Sequence, residues 1–489
     1  MILENNLDHS ITQKKDTLFT FSKINSLFFW LLFIVNLGAL FYYYPDGPQW
    51  EWKGIFRING FTLLIWCTVA FFSAIVSSYG KNYLKGFRYH QKFIFLCFGF
   101  TSSVMVLVMS NHVVPLLISW LFMGVFMSNL IGVDSDWGEA KKALKFAQKY
   151  FLIGTFFLSL GVLLLAYQTK TFTLNGILSK LNDLHSLTLL LAAFCIIISG
   201  VIQSAIYPFH RWLLSAMTAP TPASALMHAG FVNGSGILFA MFSPLFFASN
   251  TLNILLIIGG VTAIVAQFTK LLQVNIKQKL VCSTIAQMGF MIMQCGLGFF
   301  NAAVVHLILH GFYKAYLFLS AGEGIKHSTP EKHIPLRITF SQAIVVLIFG
   351  IIGGVVFATL TGKGTELNSS IFLTLVVAIT VGQITYNIVK EKSLSMAQKT
   401  LISPLLFLSG ISFYAIIYNA VSLLMSDMPM VNEHLSLSII QIVFGVVFLI
   451  GFFIMKLGIY RRIPWLYVKL LNDSQPYKKS VLMFKSTSL

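Results

Sequence analysis

Residues 304–318 read VVHLILHGFYKAYLF, an apolar run carrying His306, His310 and Lys314. The trio is spaced four by four. In an α-helix each such step turns about 40° past a full circle and climbs about 6 Å, so the three groups share one face. A charge at the centre of a bilayer costs on the order of 3 kcal/mol, which turns such a stripe toward protein or water rather than lipid. Imidazole titrates near neutrality, and an amine donates when protonated and accepts when not. A ladder of this kind, bridged by water, can relay protons.

His228 and Lys270 extend the candidate set, and Glu323, the first residue past the span, completes it. A metal reading fails on spacing. An HxxxH pair binds zinc only with a third carboxylate, His or Cys ligand nearby, and Lys314 one turn on repels a cation. Haem between helices needs histidines on opposed spans, a pairing these positions do not offer. No glycine-rich phosphate loop, nucleophile elbow or paired carboxylate supports a self-contained enzyme. We therefore expect no metal, no cofactor and no catalytic residue.

The elements that must hold these groups are helices. The 489 residues are 56% hydrophobic and 10% charged, with mean hydropathy +0.79, whereas a soluble domain carries about 25% charged residues. Apolar runs of about 20 residues recur throughout, and in lipid each must satisfy its backbone internally as a helix. The reading is an all-α polytopic membrane protein with about fourteen transmembrane helices. It places a cytoplasmic segment at 1–25, one transmembrane domain at 26–457 and a basic cytoplasmic tail at 458–489. The ninth span is expected at 281–299, the tenth at 301–322, the twelfth at 370–389 and the last at 436–457.

The seventh, near 216–246, differs from the rest. In TAPTPASALMHAGFVNGSG, Pro220 and Pro222 remove helix donors, and Asn233, Gly234 and Gly236 weaken the helix again. Interruption at membrane depth is tolerated only where protein or a wet cavity satisfies the freed groups, and in transporters it marks the ion or substrate site.

The net charge of +18 is a topology signal. With a cytoplasmic N-terminus, most of the 34 lysines and arginines fall on the inner side of the alternating loops, and no Asp or Glu lies inside a span. Basic residues spread over seven inner segments, rather than one patch interleaved with aromatics, argue against nucleic acid. The five cysteines, Cys67, Cys97, Cys195, Cys282 and Cys295, lack the close pairing of a redox or zinc motif and read as small core residues. The polar N-terminus shows no cleavage site after a short apolar core, so no removable signal is expected.

Three stretches carry a resemblance: SAIYPFHRWLLSAMTAPTPASALMHAG, NIKQKLVCSTIAQMGFM and HLILHGFYKAYLFLSAG. In this order they resemble the proton-pumping membrane subunits of respiratory NADH:quinone oxidoreductase and of multisubunit cation/proton antiporters. The match runs from about residue 60 to 325 and fades after 330. It implies an antiporter-like bundle with His228 on the broken helix and His306, His310 and Lys314 as central relay. Two positions depart from the family. Leu121, after Trp120, stands where the family has Glu, and Gln203 stands where it has Lys; that acid/lysine pair is absent here.

The wording SALMHAGFVNGSG and HGFYKAYLFLSAGEG looks closer still to the branch that serves as membrane subunit of inorganic-carbon accumulation complexes. That resemblance implies a plasma-membrane subunit translocating H+ or Na+. It also implies a large cytoplasmic zinc protein similar to β-carbonic anhydrases as partner. The alternatives are a respiratory or antiporter pump subunit, and a non-conducting membrane anchor for the zinc enzyme.

Overall fold

The computed structural model describes residues 2–323, 340–364, 366, 368–375, 396–457 and 459–478. Helix α1 spans Ile2–Tyr43, and a short hairpin, β1 (Trp50–Trp52) against β2 (Phe56–Ile58), leads to α2 (Gly60–Tyr83). Then follow α3 (His90–Met109), α4 (Val113–Ile131), α5 (Gly138–Thr169), α6 (Leu174–Ser179) and α7 (Ser186–Gln203). A segmented stretch comprises α8 (Arg211–Ser215), α9 (Thr221–Ala229), α10 (Gly234–Met241) and α11 (Ser243–Ala248). The chain continues with α12 (Leu252–Leu272), α13 (Ile276–Gly296), α14 (Phe300–Glu323) and α15 (Phe340–Thr361). It ends with α16 (Met396–Leu424), α17 (Ile439–Leu457) and α18 (Pro464–Asp473).

Ten helices among the described residues are long and apolar enough to cross a bilayer. Helix α13 is more polar, yet its 21 residues occupy the expected ninth span. Of the expected twelfth span only 370–375 is described, as helix; the rest, 376–389, lies outside the described residues, as do 324–339 and 479–489. The chain is a multi-pass all-α membrane bundle, its count of fourteen spans neither contradicted nor completed.

Helix starts follow local chemistry. Asn59 Oδ1 accepts from Thr62 N at 2.9 Å, and Asn275 Oδ1 accepts from Lys277 N at 2.9 Å, each satisfying a first-turn amide that has no helical acceptor. The five cysteines are free, and all but Cys195 are buried.

One expectation needs correction. Pro220 and Pro222 do not break a membrane helix; they begin α9, with Pro220 as its N-cap and Pro222 in its first turn. Proline is tolerated there because the missing amide has no helical acceptor anyway. The interruption falls later, at Gly230 through Asn233, where one 3₁₀ turn separates α9 from α10.

The connecting loops gather at two ends. At the loop end, Arg57 Nη2 and Asn59 Nδ2 both donate to Asp427 Oδ2 at 2.9 Å, and Asn111 Nδ2 donates to Glu51 Oε1 at 3.1 Å. At the tail end, α18 docks through His210 Nε2 and the Asp473 carbonyl at 2.7 Å, and the Tyr477 ring stacks on Phe146 with centroids 4.1 Å apart. The described part of the basic tail, 459–478, thus folds back onto the bundle.

Candidate ion pathway

Apolar burial explains where the interrupted helix sits. Of the apolar window in Thr221–Met241, 89% is buried, against 22% for α1. An interrupted helix needs such surroundings, since lipid satisfies no free backbone group. At the break, Asn233 Nδ2 donates to the Ala229 carbonyl at 2.6 Å and to the Leu307 carbonyl of α14 at 3.2 Å. From the other side, Gln203 Nε2 donates to the Phe231 carbonyl at 3.4 Å, and Ser204 bonds to Val232 and Ser235. The break is clamped between α7 and α14.

Helix α14 approaches α9 closely because residue 311 is glycine. A Cβ there would meet the Ala229 carbonyl oxygen at 2.9 Å and Phe72 Cζ at 2.5 Å, closer than side-chain carbons approach such atoms. This contact holds the ionisable face of α14 against the last turn of α9.

That face has the expected composition. The His306 and His310 rings lie parallel with centroids 6.0 Å apart, and His306 also faces Phe290 of α13 at 5.4 Å. Lys314 is fully buried, and its Nζ donates to the Leu280 carbonyl of α13 at 2.9 Å. His228 on α9 is fully buried and stacks on Phe318 of α14 at 4.3 Å. His228, His310 and Lys314 lie within electrostatic range of one another, and Lys270 within range of Lys314.

Both ring nitrogens of His228 and Nε2 of His306 and of His310 are buried without a protein partner. A buried polar atom left unpaired is costly, so such a row favours bound water as its hydrogen-bond partner. The described ion pairs, Arg57–Asp427, Arg88–Asp136 and Arg211–Asp473, lie among the connecting loops and the tail and involve none of these groups. A charge on one member of the row therefore opposes a second on its neighbours. Imidazole and amine are group types that can exchange protons.

The other sequence candidates divide. Lys270 is half-buried in the last turn of α12. Glu323 ends α14, with its side chain outside the described residues. Gln203 is buried and engaged at the break, whereas Leu121 is only half-buried on α4. Met123 is the α4 side chain that reaches Gly234 beside Gln203. Two residues earlier on a helix is about 200° away, so Leu121 and Gln203 are not brought together. Two features escaped the sequence reading. The acceptor for Lys314 is a backbone carbonyl, which leaves no residue signature. Lys277 reaches the Ala219 carbonyl at 3.5 Å and lies within range of His228; its signal was the polar start of NIKQKLVCSTIAQMGF.

A helix interrupted in a buried seam, facing a histidine and lysine ladder, defines an antiporter-type membrane subunit. The family model described as "NADH:quinone oxidoreductase/Mrp antiporter, TM" matches residues 110–389, and the chain belongs to this family. The match starts later than residue 60 and continues past 330, where the sequence resemblance fades. The chain is 34% identical over 315 residues to the "Probable inorganic carbon transporter subunit DabB" of Bacillus subtilis (strain 168), covering 63% of this chain and 62% of the relative. To the protein of the same name in Bacillus anthracis it is 35% identical over 303 residues, covering 61% and 59%. The match thus spans about six-tenths of the length of these curated relatives. Among solved structures, the Mrp complex from Dietzia sp. DQ12-45-1b superposes with a TM-score of 0.63 at 19% identity, over 94% of this chain and 58% of that one. That likeness shows the fold.

Proposed function

We propose that this chain is the cation-conducting membrane subunit of an inorganic carbon transporter, and that the ion is the proton. The observation that carries the reading is the row His228, His306, His310 and Lys314, gathered in one buried seam with ring nitrogens that no protein group satisfies. The names of the curated relatives support inorganic carbon as the cargo.

In this reading the chain lies in the plasma membrane with both termini cytoplasmic, 26–457 forming the membrane domain. It carries no catalytic residue. A large cytoplasmic zinc protein similar to β-carbonic anhydrases docks on it and converts CO2 and water to bicarbonate and a proton. Downhill cation flux through the seam makes that hydration effectively one-way. His228, His306, His310 and Lys314 pass the ion, Lys270 links them to the tail end, and Glu323 stands at the end of α14. The interrupted helix, with Asn233 and Gly234 at its break, supplies the surface on which the row is aligned.

The test is uptake of labelled bicarbonate by cells whose carbon supply depends on the complex. Lys314→Met and His310→Ala are each expected to abolish uptake while the complex still purifies intact. Normal uptake in both would remove the relay and leave the anchor reading, which Leu121 and Gln203 favour. Purification in mild detergent separates the remaining reading: a soluble zinc protein supports the proposal, and respiratory or small antiporter subunits would replace it with a pump.

A further inference from the structure

The loop end contains a second group of ionisable residues away from the α14 stripe. Lys363 Nζ approaches His434 Nε2 at 2.6 Å, donates to Asn432 Oδ1 at 2.9 Å and sits over the Phe299 ring at 5.2 Å. Its side chain is buried although it belongs to the turn after α15. The two loops that form the site are fastened together: Ser369 N donates to the Leu435 carbonyl at 2.8 Å, and Leu435 N donates to Ser369 Oγ at 3.1 Å. Gly298, at φ +90° in the α13–α14 turn, lets the 432–434 loop pass directly over that turn. A Cβ there would lie 2.8 Å from the Glu433 carbonyl oxygen.

From this site a line of polar side chains descends into the bundle. Tyr418 of α16 donates to the same Asn432 Oδ1 at 3.3 Å and is itself buried. Asn301 Nδ2 donates to the Tyr418 hydroxyl at 3.2 Å and to Ser422 Oγ at 2.7 Å. Tyr414 lies one turn deeper on the same face of α16, and Gln294 Oε1 of α13 is buried without a hydrogen-bond partner.

We propose that Lys363 and His434 form the proton-exchange port at the loop end of the pathway, with Asn432, Tyr418 and Asn301 the polar line that leads from it to the start of α14. The proposal rests on the conduction reading above and assigns its mouth. In the exchange step, protonated Lys363 gives one N–H proton to His434 Nε2 or to a water in the line, and its nitrogen keeps the electron pair. The Tyr418 hydroxyl keeps its proton, directing it to Asn432 Oδ1 as a hydrogen bond. Asn432 carries no proton; it holds Lys363 and Tyr418 in register.

The groups facing Lys363 set its working range. Burial lowers its ammonium to about 8 against a partial upward pull from Glu433. His434 is lowered by burial and by Lys363, with Glu366 and Glu433 opposing. Lys363 is therefore charged below about pH 8 and neutral above it. Flux fed from the loop end should fall through an inflection near that value.

The experiment is proton flux into proteoliposomes holding the intact complex, followed by an entrapped pH dye while the pH at the loop end is varied. Lys363→Gln should cut flux by at least ~10-fold and abolish the inflection. Lys363→Arg, which keeps the charge and the bond to Asn432 but cannot deprotonate in this range, should also lose the inflection. Tyr418→Phe should slow flux with the inflection in place. If the wild type conducts and Lys314→Met stops it, yet Lys363→Gln and Lys363→Arg retain flux and inflection, the port is wrong and the relay stands. If the wild type itself carries no protons, or if Lys314→Met conducts normally, the relay reading fails instead.

Discussion

The interrupted helix is held between two unlike walls. On the α14 side it meets His306, His310, Lys314 and the stacked pair His228–Phe318. On the α4 and α7 side it meets Met123, Gln203 and Ser204, all neutral. Both walls bond to the same break, α14 through its Leu307 carbonyl and α7 through the Gln203 amide. On the proposed function, closing the break and moving a charge are separable tasks. A neutral amide suffices for the first, and only one wall is equipped for the second.

The sharpest break of this comparison exchanges the loss between walls. Lys314→Met should stop flux, whereas Gln203→Leu should leave it within about twofold, since only the first removes a group that gains and loses a proton. Equal losses in proteoliposome flux would show that both walls conduct.

Next in size is a charge added to the neutral wall. Gln203→Lys would bury an ammonium beside Gly234 and Met123, with no carboxylate supplied by α4. We expect a destabilisation of about 3 kcal/mol, read as loss of thermal stability in detergent. Because residue 121 lies about 200° around α4 from Met123, adding Leu121→Glu should not rescue it. A double-mutant coupling near zero confirms that geometry, and a coupling above about 1 kcal/mol refutes it.

Gly311→Ala tests how the conducting wall is seated. The new methyl must displace the Ala229 carbonyl or Phe72, and overpacking of this kind costs about 1–3 kcal/mol. Flux should fall with stability as α14 is pushed from α9. Unchanged flux in a destabilised variant would mean that the His228 side of the seam carries no ions.

The stripe on α14 was legible because four-residue spacing is a one-dimensional signal that survives folding, and an intramembrane charge has few alternatives to facing inward. Span existence was legible for the same reason, with helices at the expected places wherever residues are described. The position of the break was not. Proline announces itself in sequence, but whether it starts or interrupts a helix depends on what precedes it, and here a short 3₁₀ turn ends at Thr218 with Ala219 extended. Lys363 was also missed. As a lysine in a loop it reads as solvated, and its burial arises from Phe299, Asn432 and His434, as much as 71 residues away in sequence.

The smallest effect is expected at the amide itself. Gln203→Leu removes a donor that reaches the Phe231 carbonyl at 3.4 Å, a long hydrogen bond. That carbonyl keeps a second partner, the Gly234 amide that closes the 3₁₀ turn, so no buried acceptor is left unpaired. The loss should then stay below about 1 kcal/mol, the net value of one neutral hydrogen bond. A larger fall in melting temperature, accompanied by reduced flux, would mean that Gln203 fixes the shape of the break for the conducting wall opposite. The two walls would then act as one device rather than as a clamp and a conductor.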